Sequence, residues 1–191
     1  MLREMRNVRG VLFVDYVRML RACKSVDVKT HLRDEDMPYM TARIDPEAWY
    51  PMATFERLGN AILHFVARGE MLPVRMWGRY SATQLRNAHP ALLVSGDPVE
   101  TIERFRLLRA TFFDFDALEL QDVHPEGANL VIRYHMGMPA EEAASHQTVG
   151  FFEGLLELAG AQHPEAEFKE TSWGGSNRTL AAMRWRRPKP S

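Results

Sequence analysis

The side chains most able to do chemistry are scattered singly along this chain. None of the seven histidines stands in the H-x-x-x-H spacing that puts two zinc ligands on one helix face. The single cysteine, Cys23, lies in an apolar helical pattern without a partner base. Glu142 and His146 are four residues apart, whereas di-iron sites use Glu and His three apart, so we interpret them as a surface pair. We therefore expect no catalytic residue, no metal site and no enzyme.

Aromatic residues near the C-terminal third suit binding better than catalysis. An aromatic core is the simpler interpretation, because aromatic side chains bury large areas. The alternative is an apolar pocket between the helical part and a sheet, with a few polar groups at its mouth. The candidate ligand-binding residues are Trp77, Tyr134, His135, Phe151, Phe152 and Trp173.

The last third of the chain gives the clearest structural pattern. Alternating apolar residues predict one strand hairpin over 116–136 and a second over 166–185. Between them, residues 140–159 have the period of an amphipathic helix. Its apolar face holds Ala144, Thr148, Phe151, Phe152, Leu155, Leu158 and Ala159. Glu141, Glu142, Glu153 and Glu157 fall on the opposite face, which we expect to be exposed.

The first two thirds of the chain are predicted to be helical. We expect helices over 7–23 and 74–87, a third with Asp45 as its N-cap, and a fourth with Asp97 as N-cap and Pro98 in its first turn. The fold class is therefore α+β, with N-terminal helices packed on a C-terminal four-stranded antiparallel sheet in ββαββ order. We expect one domain over 1–187, divided near 112, and a disordered tail over 188–191.

Composition narrows the set of partners. The 191 residues carry a formal net charge of −1, which gives no reason to expect nucleic acid as a partner. No apolar run is long enough to span a membrane, and the N-terminus is charged where a signal peptide is apolar. We expect a cytoplasmic protein that does not associate with membranes.

Several ordered motifs resemble those of an uncharacterised paralogous family of myxobacterial proteins of about 200 residues. The motifs are Ile44-Asp45-Pro46-Glu47-Ala48-Trp49-Tyr50-Pro51, Trp77-Gly78-Arg79, Gly96-Asp97-Pro98, Tyr134-His135-Met136-Gly137, Gly150-Phe151-Phe152-Glu153 and Trp185. More distantly, helices followed by a ββαββ unit are similar to the bacterial haem nitric-oxide-binding sensors and to vinyl-reductase-like small-molecule-binding domains.

The resemblance implies a non-catalytic sensor or adaptor that binds a small apolar ligand and signals through a protein partner. The haem sensors use a Tyr-x-Ser-x-Arg signature, and the nearest stretch here, Tyr80-Ser81-Ala82-Thr83-Gln84, lacks the arginine. The metal-binding vinyl-reductase-like domains use cysteines, and Cys23 lies in a different region. We therefore expect no cofactor and regard haem as unsupported.

Two other functions stay open at this point. The chain can be a protein-interaction module without a pocket, acting as a homodimer or through a docking surface. It can also be an enzyme with His135 or His146 as a general base, although no nucleophile, metal set or phosphate loop accompanies these histidines.

Overall fold

The N-terminal part of the computed structural model is built from helices. The structure describes residues 6–24 and 26–187. The helices here are α1 (Gly10–Ala22), α2 (Met37–Thr41), α3 (Met52–Phe65), α4 (Met71–Ala88) and α5 (Pro98–Leu108), and the short strands β1 (Asn7–Arg9) and β2 (Trp49–Pro51) pair antiparallel. No helix within the described residues has both the length and the apolar character needed to cross a membrane.

The C-terminal part is a four-stranded antiparallel sheet with one helix on its inner face. Its elements are β3 (Leu118–His124), β4 (Gly127–Ile132), α6 (Ala140–Leu158), β5 (Gln162–Glu170) and β6 (Thr179–Arg186), and the strands lie in the order β3-β4-β6-β5. The α+β prediction is confirmed. The tail predicted to be disordered, residues 188–191, lies outside the described residues.

Of the two residues predicted to be helix N-caps, Asp97 caps α5 and Asp45 lies in a turn. An Asp97 Oδ1 accepts a hydrogen bond of 2.9 Å from the backbone N–H of Glu100, as an N-cap does. Asp45 is not a helix cap. Its Oδ1 accepts from the N–H of Glu47 inside a turn, and α3 begins only at Met52.

The start of the chain also differs from the sequence prediction. Residues 7–9, which the periodicity assigned to a helix, form β1 against β2. The apolar period of α1 therefore begins only at Gly10. A side chain at Gly10 would lie 2.0 Å from the carbonyl oxygen of Asp45, so only glycine allows the β1–α1 junction to pass this turn.

The core lies between α6 and the sheet. Leu130, Ile132, Ala181 and Met183 point from β4 and β6 toward α6, and Phe152, Leu155 and Leu156 of α6 are fully buried against them. Phe105 of α5 contacts the ring of Phe152 at a centroid distance of 5.0 Å. The predicted apolar face of α6 thus joins the sheet to the helical part.

The second face of α6 packs closely on α4. A Cβ built on Gly150 would lie 2.0 Å from the carbonyl oxygen of Arg75, and one on Gly78 would lie 1.9 Å from that of Gln147. Neither position has room for any side chain. Glycine therefore lets the two helix backbones touch.

The prediction of an exposed acidic face on α6 holds only for Glu157, since Glu141 and Glu153 are buried and Glu142 is half-buried. Glu141 and Glu153 are only 4% and 5% exposed. Glu153 accepts hydrogen bonds from Arg75 and from Arg79, and from the backbone N–H of Ala166 on β5 at 3.0 Å. The sequence period shows that the face is charged, but it does not show that arginines of another helix cover it.

Candidate functional site

The segment between β4 and α6 separates an internal cavity from an outer groove. We call residues 134–139 the wall segment. His135 has a left-handed backbone with φ of 54°, a conformation that turns the chain out of the strand direction. Because of this turn β4 ends at Ile132, and the strand-like alternation of Tyr134 and Met136 does not continue the sheet.

Three side chains hold the backbone of the wall segment through four hydrogen bonds. The guanidinium group of Arg6 donates to the carbonyl oxygens of Tyr134 and, at 2.9 Å, of His135. The N–H of Met136 donates to Glu141 Oε2 at 2.7 Å. The N–H of Gly137 donates to Glu56 Oε1 at 3.0 Å. Buried Glu141 therefore positions the wall segment from the first turn of α6.

On the inner side lies a small, mostly apolar cavity of about 20 Å³. It lies where α1, α3 and α4 meet the first two turns of α6. The lining residues are Tyr16, Phe55, Glu56, Gly59, Ile62, Leu63, Val74, Trp77, Met136, Ala140, Ala143, Ala144 and Gln147. This volume is close to that of one water-sized probe.

On the outer side lies an open groove of about 230 Å³ between the wall segment and the loop from β5 to β6. Its apolar surface comes from Ile132, Met136, Met138 and Trp173, and its polar rim from Arg133, His135, Glu141, Ser172, Ser176, Asn177 and Arg178. The two arginines are paired, Arg133 with Glu119 at 2.8 Å and Arg178 with Glu170 at 2.9 Å. The rim therefore suits a neutral amphipathic molecule better than an anion.

Met136 lines both the cavity and the groove. The two spaces therefore approach each other at this side chain. Methionine is unbranched and flexible, so it can move without a rearrangement of the backbone. The arrangement can admit a small molecule from the groove into the cavity.

The six predicted ligand-binding residues fall into two groups. Trp77 lines the cavity, and His135 and Trp173 line the groove. Tyr134 is the first residue of the wall segment. Phe151 and Phe152 instead contact Phe105, at centroid distances of 5.3 and 5.0 Å. Three of the six residues therefore line the two spaces, Tyr134, Phe151 and Phe152 line neither, and the role of all six in binding stays a prediction.

Sequence reasoning missed the residues that complete this site. Met136 was assigned to a strand, and Tyr16 and Gln147 were not considered. Tyr16 packs on Trp77 at a ring distance of 5.0 Å and donates a hydrogen bond to Gln147 Oε1. Only the position of Tyr16 on the buried face of α1 offered a signal.

Both buried tyrosines keep their protons. Burial is the largest cause that raises the pKa of Tyr16, and the neighbouring Tyr134 raises it further. Burial likewise raises the pKa of Tyr134. Thr148 donates its own proton to the carbonyl of Ala144, so the 2.7 Å contact between Tyr134 and Thr148 is a hydrogen bond donated by Tyr134. The two hydroxyl groups act as positioning groups.

His146, one of the two histidines considered as a general base, is packed against aromatic rings. His146 lies 5.0 Å from the Phe168 ring and 6.4 Å from the Trp173 ring, centroid to centroid. Burial lowers the pKa of His146, and the positive charge of Arg75 lowers it further. Within residues 6–24 and 26–187, no three His, Cys, Asp or Glu side chains are grouped as metal ligands.

No protein-family model matches this sequence, and comparison with curated proteins gives no significant match. Solved structures of H-NOX domains, however, share its fold over nearly the whole chain. An H-NOX mutant from K. algicida, in the Fe(II) unliganded form, is 10% identical and aligns 93% of this chain with 96% of that one at a TM-score of 0.64.

Two further H-NOX structures agree. The protein from S. oneidensis in the Fe(II)NO ligation state is 10% identical over 93% of this chain and 99% of that one, with a TM-score of 0.63. A mutant from T. tengcongensis is 14% identical over 95% of this chain and 100% of that one, with a TM-score of 0.60. This chain has the H-NOX fold, and the resemblance to the myxobacterial family stays a prediction.

The comparison corrects the expectation about cofactors. We expected none and regarded haem as unsupported, and this is wrong. Structures that share the fold include Fe(II) and Fe(II)NO forms, an oxygen complex, and one that concerns haem distortion. The sequence argument failed because it looked for one short signature, whereas the fold extends over the whole chain at an identity of 10–15%.

The described side chains, as they are arranged, do not fit a haem. Pockets for larger ligands measure about 300–1,000 Å³, whereas the cavity measures about 20 Å³. Haem iron is held by His, Cys, Met or Tyr. None of the described histidines is buried, and the buried Tyr16 and Tyr134 are both engaged in hydrogen bonds. A haem would require the helical part and α6 to separate.

Proposed function

We propose that this chain is a cytoplasmic, non-catalytic sensor or adaptor domain that binds a small ligand behind the wall segment and signals through a protein partner. The observation that carries the proposal is the position of Met136, which lines both the groove and the cavity. The H-NOX fold supports it as well, because the solved structures of that fold include forms with bound diatomic ligands.

The ligand enters from the groove and displaces Met136. Inside, it meets the rings of Tyr16, Phe55 and Trp77 and the small side chains of Ala143 and Ala144. Such surroundings suit a small apolar molecule, because burial of its apolar surface is the main favourable term.

The same cavity touches the two helices that form the closest contact of the protein. Val74 and Trp77 belong to α4, and Ala140, Ala143, Ala144 and Gln147 belong to α6. A ligand that enlarges the cavity therefore pushes on both helices. Since their backbones touch at Gly78 and Gly150, they move together, and a partner that binds α4 senses the change.

Haem is the first ligand to test, because the solved structures of this fold point to it. Haem and small apolar molecules give different signals. Bound haem produces a visible absorption band and raises the native mass by the mass of haem, whereas an apolar molecule such as indole produces no visible band and raises the native mass only by its own, smaller mass. Both raise the melting temperature, because they bind the folded state alone.

The experiment combines native mass spectrometry, absorption spectra and thermal melts, on protein as purified and after addition of haem, indole or benzene. We expect a saturable rise in melting temperature with at least one probe. Gly59→Leu places a side chain at the cavity, where a Cβ would lie 3.6 Å from Tyr16 Cε1, and should abolish the shift. Met136→Ala should increase the association rate constant of the probe that binds.

Two results would contradict the proposal. The first is the absence of any shift, band or extra mass with every probe, which would favour an interaction module without a pocket. The second is a shift that persists unchanged in Gly59→Leu, which would place the ligand elsewhere. Leu107→Ala, far from the cavity and 81% exposed, is the matched control and should bind like the wild type.

A pocketless interaction module is the second candidate. The small volume of the cavity, about 20 Å³, favours it, because side chains already fill most of the interior. It predicts a protein partner or a homodimer in the absence of any small ligand.

A further inference from the structure

We propose that the exposed face of α4 is a self-association surface, on which α4 of a second copy of this chain packs antiparallel. The proposal goes beyond ligand binding and concerns a surface on the opposite side of α4 from the cavity. It depends on how the charges of α4 are distributed.

In the middle of α4 the charged side chains turn toward α6, and large apolar side chains are exposed on the other face. Its inner face holds Val74, Gly78 and Ala82, together with two half-buried arginines whose side chains turn toward α6. Arg75 pairs with Glu153, and Arg79 pairs with both Glu153 and Glu157. The charged groups in the middle of α4 are thus neutralised against its own protein.

The outer face of α4 carries no charge around its centre, and half-buried Arg86 contacts the side chain of Asn87 only near the C-terminal end of the helix. Every exposed residue of the helix is uncharged: Leu72, Pro73, Met76, Tyr80, Gln84, Asn87 and Ala88. Three large apolar side chains stand one turn apart, Leu72 at 68%, Met76 at 55% and Tyr80 at 60% exposure. They form a continuous ridge along an 18-residue helix.

A second copy fits this face better than a different partner does. In a two-fold symmetric dimer each surface faces itself, so any charge near the axis would face a like charge. A face without charge is free of that penalty, and it offers nothing for an oppositely charged partner to recognise. Ridges of residues spaced by four also interdigitate with identical ridges at about −50°, the commonest helix crossing.

The size of the ridge limits the affinity expected for the dimer. A single helix crossing buries less than the roughly 1,200 Å² that stable interfaces need, so the dimer should be weak and depend on concentration. Met76 stands at the centre of the ridge and lies nearest to the symmetry axis. A charge at position 76 would therefore face its own copy.

Sedimentation velocity over a wide concentration range tests the proposal with the full chain. The wild type should pass from monomer to dimer as concentration rises. Met76→Glu should raise the dissociation constant at least about 30-fold, and Tyr80→Glu about tenfold, since a buried like-charge pair costs several kcal/mol. Both positions are exposed in the monomer, so the variants should keep the wild-type circular dichroism spectrum and melting temperature when dilute.

Leu107→Glu is the matched control. Leu107 is the most exposed large apolar residue described, at 81%, and it lies on α5. The variant should dimerise within about twofold of the wild type. A wild type that stays monomeric at millimolar concentration would overturn the proposal, and so would a dimer that Leu107→Glu weakens as much as Met76→Glu does.

Discussion

The two ends of α6 meet the helical part in opposite ways. Along its second half, backbone touches backbone at Gly150, and buried Glu153 holds two arginines of α4. Along its first two turns, small residues such as Ala143 and Ala144 face a cavity between α6 and the helices α1, α3 and α4, and the wall segment lies beside it. Stability is therefore concentrated at one end, and the capacity to admit a ligand at the other.

Paired glycine substitutions test this contrast most directly. Gly150→Ala adds a methyl group 2.0 Å from the carbonyl oxygen of Arg75, and this atom belongs to the backbone and cannot rotate away. The helix-propensity gain of about 1 kcal/mol cannot offset that clash. We expect a loss of about 3 kcal/mol or more in the free energy of unfolding, measured by urea denaturation.

Gly59→Ala is the matched substitution at the loose end. Its Cβ would lie 3.6 Å from Tyr16 Cε1, an ordinary contact beside the cavity. The propensity gain should then prevail, and the variant should be up to about 1 kcal/mol more stable than the wild type. Equal losses in the two variants would show that the two ends of α6 are packed alike.

The charge network at the tight end gives the next largest effect. Glu153→Gln keeps the shape of the side chain but leaves Arg75 and Arg79 without their shared negative charge. Breaking a buried ion pair costs about 3–5 kcal/mol, and partial exposure of both arginines lowers the expected loss to about 2 kcal/mol. Chemical denaturation measures it.

Glu157→Gln provides the comparison within the same network. Glu157 is 48% exposed and contacts Arg79 alone, so its replacement should cost less than about 1 kcal/mol. If both glutamates cost the same, the burial of Glu153 contributes nothing beyond a surface ion pair.

The sequence predicts the local features of this molecule and misses those that depend on distant packing. The cap at Asp97 and the period of α6 were predicted correctly, because both depend on residues within a few positions of each other. The burial of Glu153 was not predictable, since it depends on arginines 74 and 78 residues away in the chain.

The site was predicted only in part for the same reason. Aromatic character identified Trp77 and Trp173, but the position of Met136 depends on where β4 ends. The left-handed turn at His135 ends the strand pattern, and histidine gives no sequence signal as strong as that of glycine for such a turn. The residues that line the cavity and the groove come from distant parts of the chain, so no sequence pattern connects them.

Tyr134→Phe tests the boundary between the two ends with a smaller change. The hydroxyl group donates to Thr148 in the middle of α6 and leaves Thr148 bonded to Ala144 when it is removed. We expect a loss of about 1 kcal/mol, the usual net value of one hydrogen bond. Tyr80→Phe, at an exposed position, should change thermal stability by less than about 0.5 kcal/mol.

The smallest effect should appear in the pH dependence of stability. Burial lowers the pKa of His146 in the folded protein below its ordinary value of 6.5, and Arg75 adds to this. As pH falls below about 7, the unfolded chain binds this proton first, so folding loses stability until the folded-state pKa is passed. The loss should be small, because His146 is only half-buried and solvent screens part of the effect.

His146→Gln should flatten the curve of unfolding free energy between about pH 7 and pH 5, as measured by urea titration at several pH values. His163→Gln, at an exposed position, should keep the wild-type slope. His146 lies near Trp173, which lines the groove, and the positive charge of Arg75 at the tight end of α6 opposes its protonation, so the slope depends on both ends of the helix.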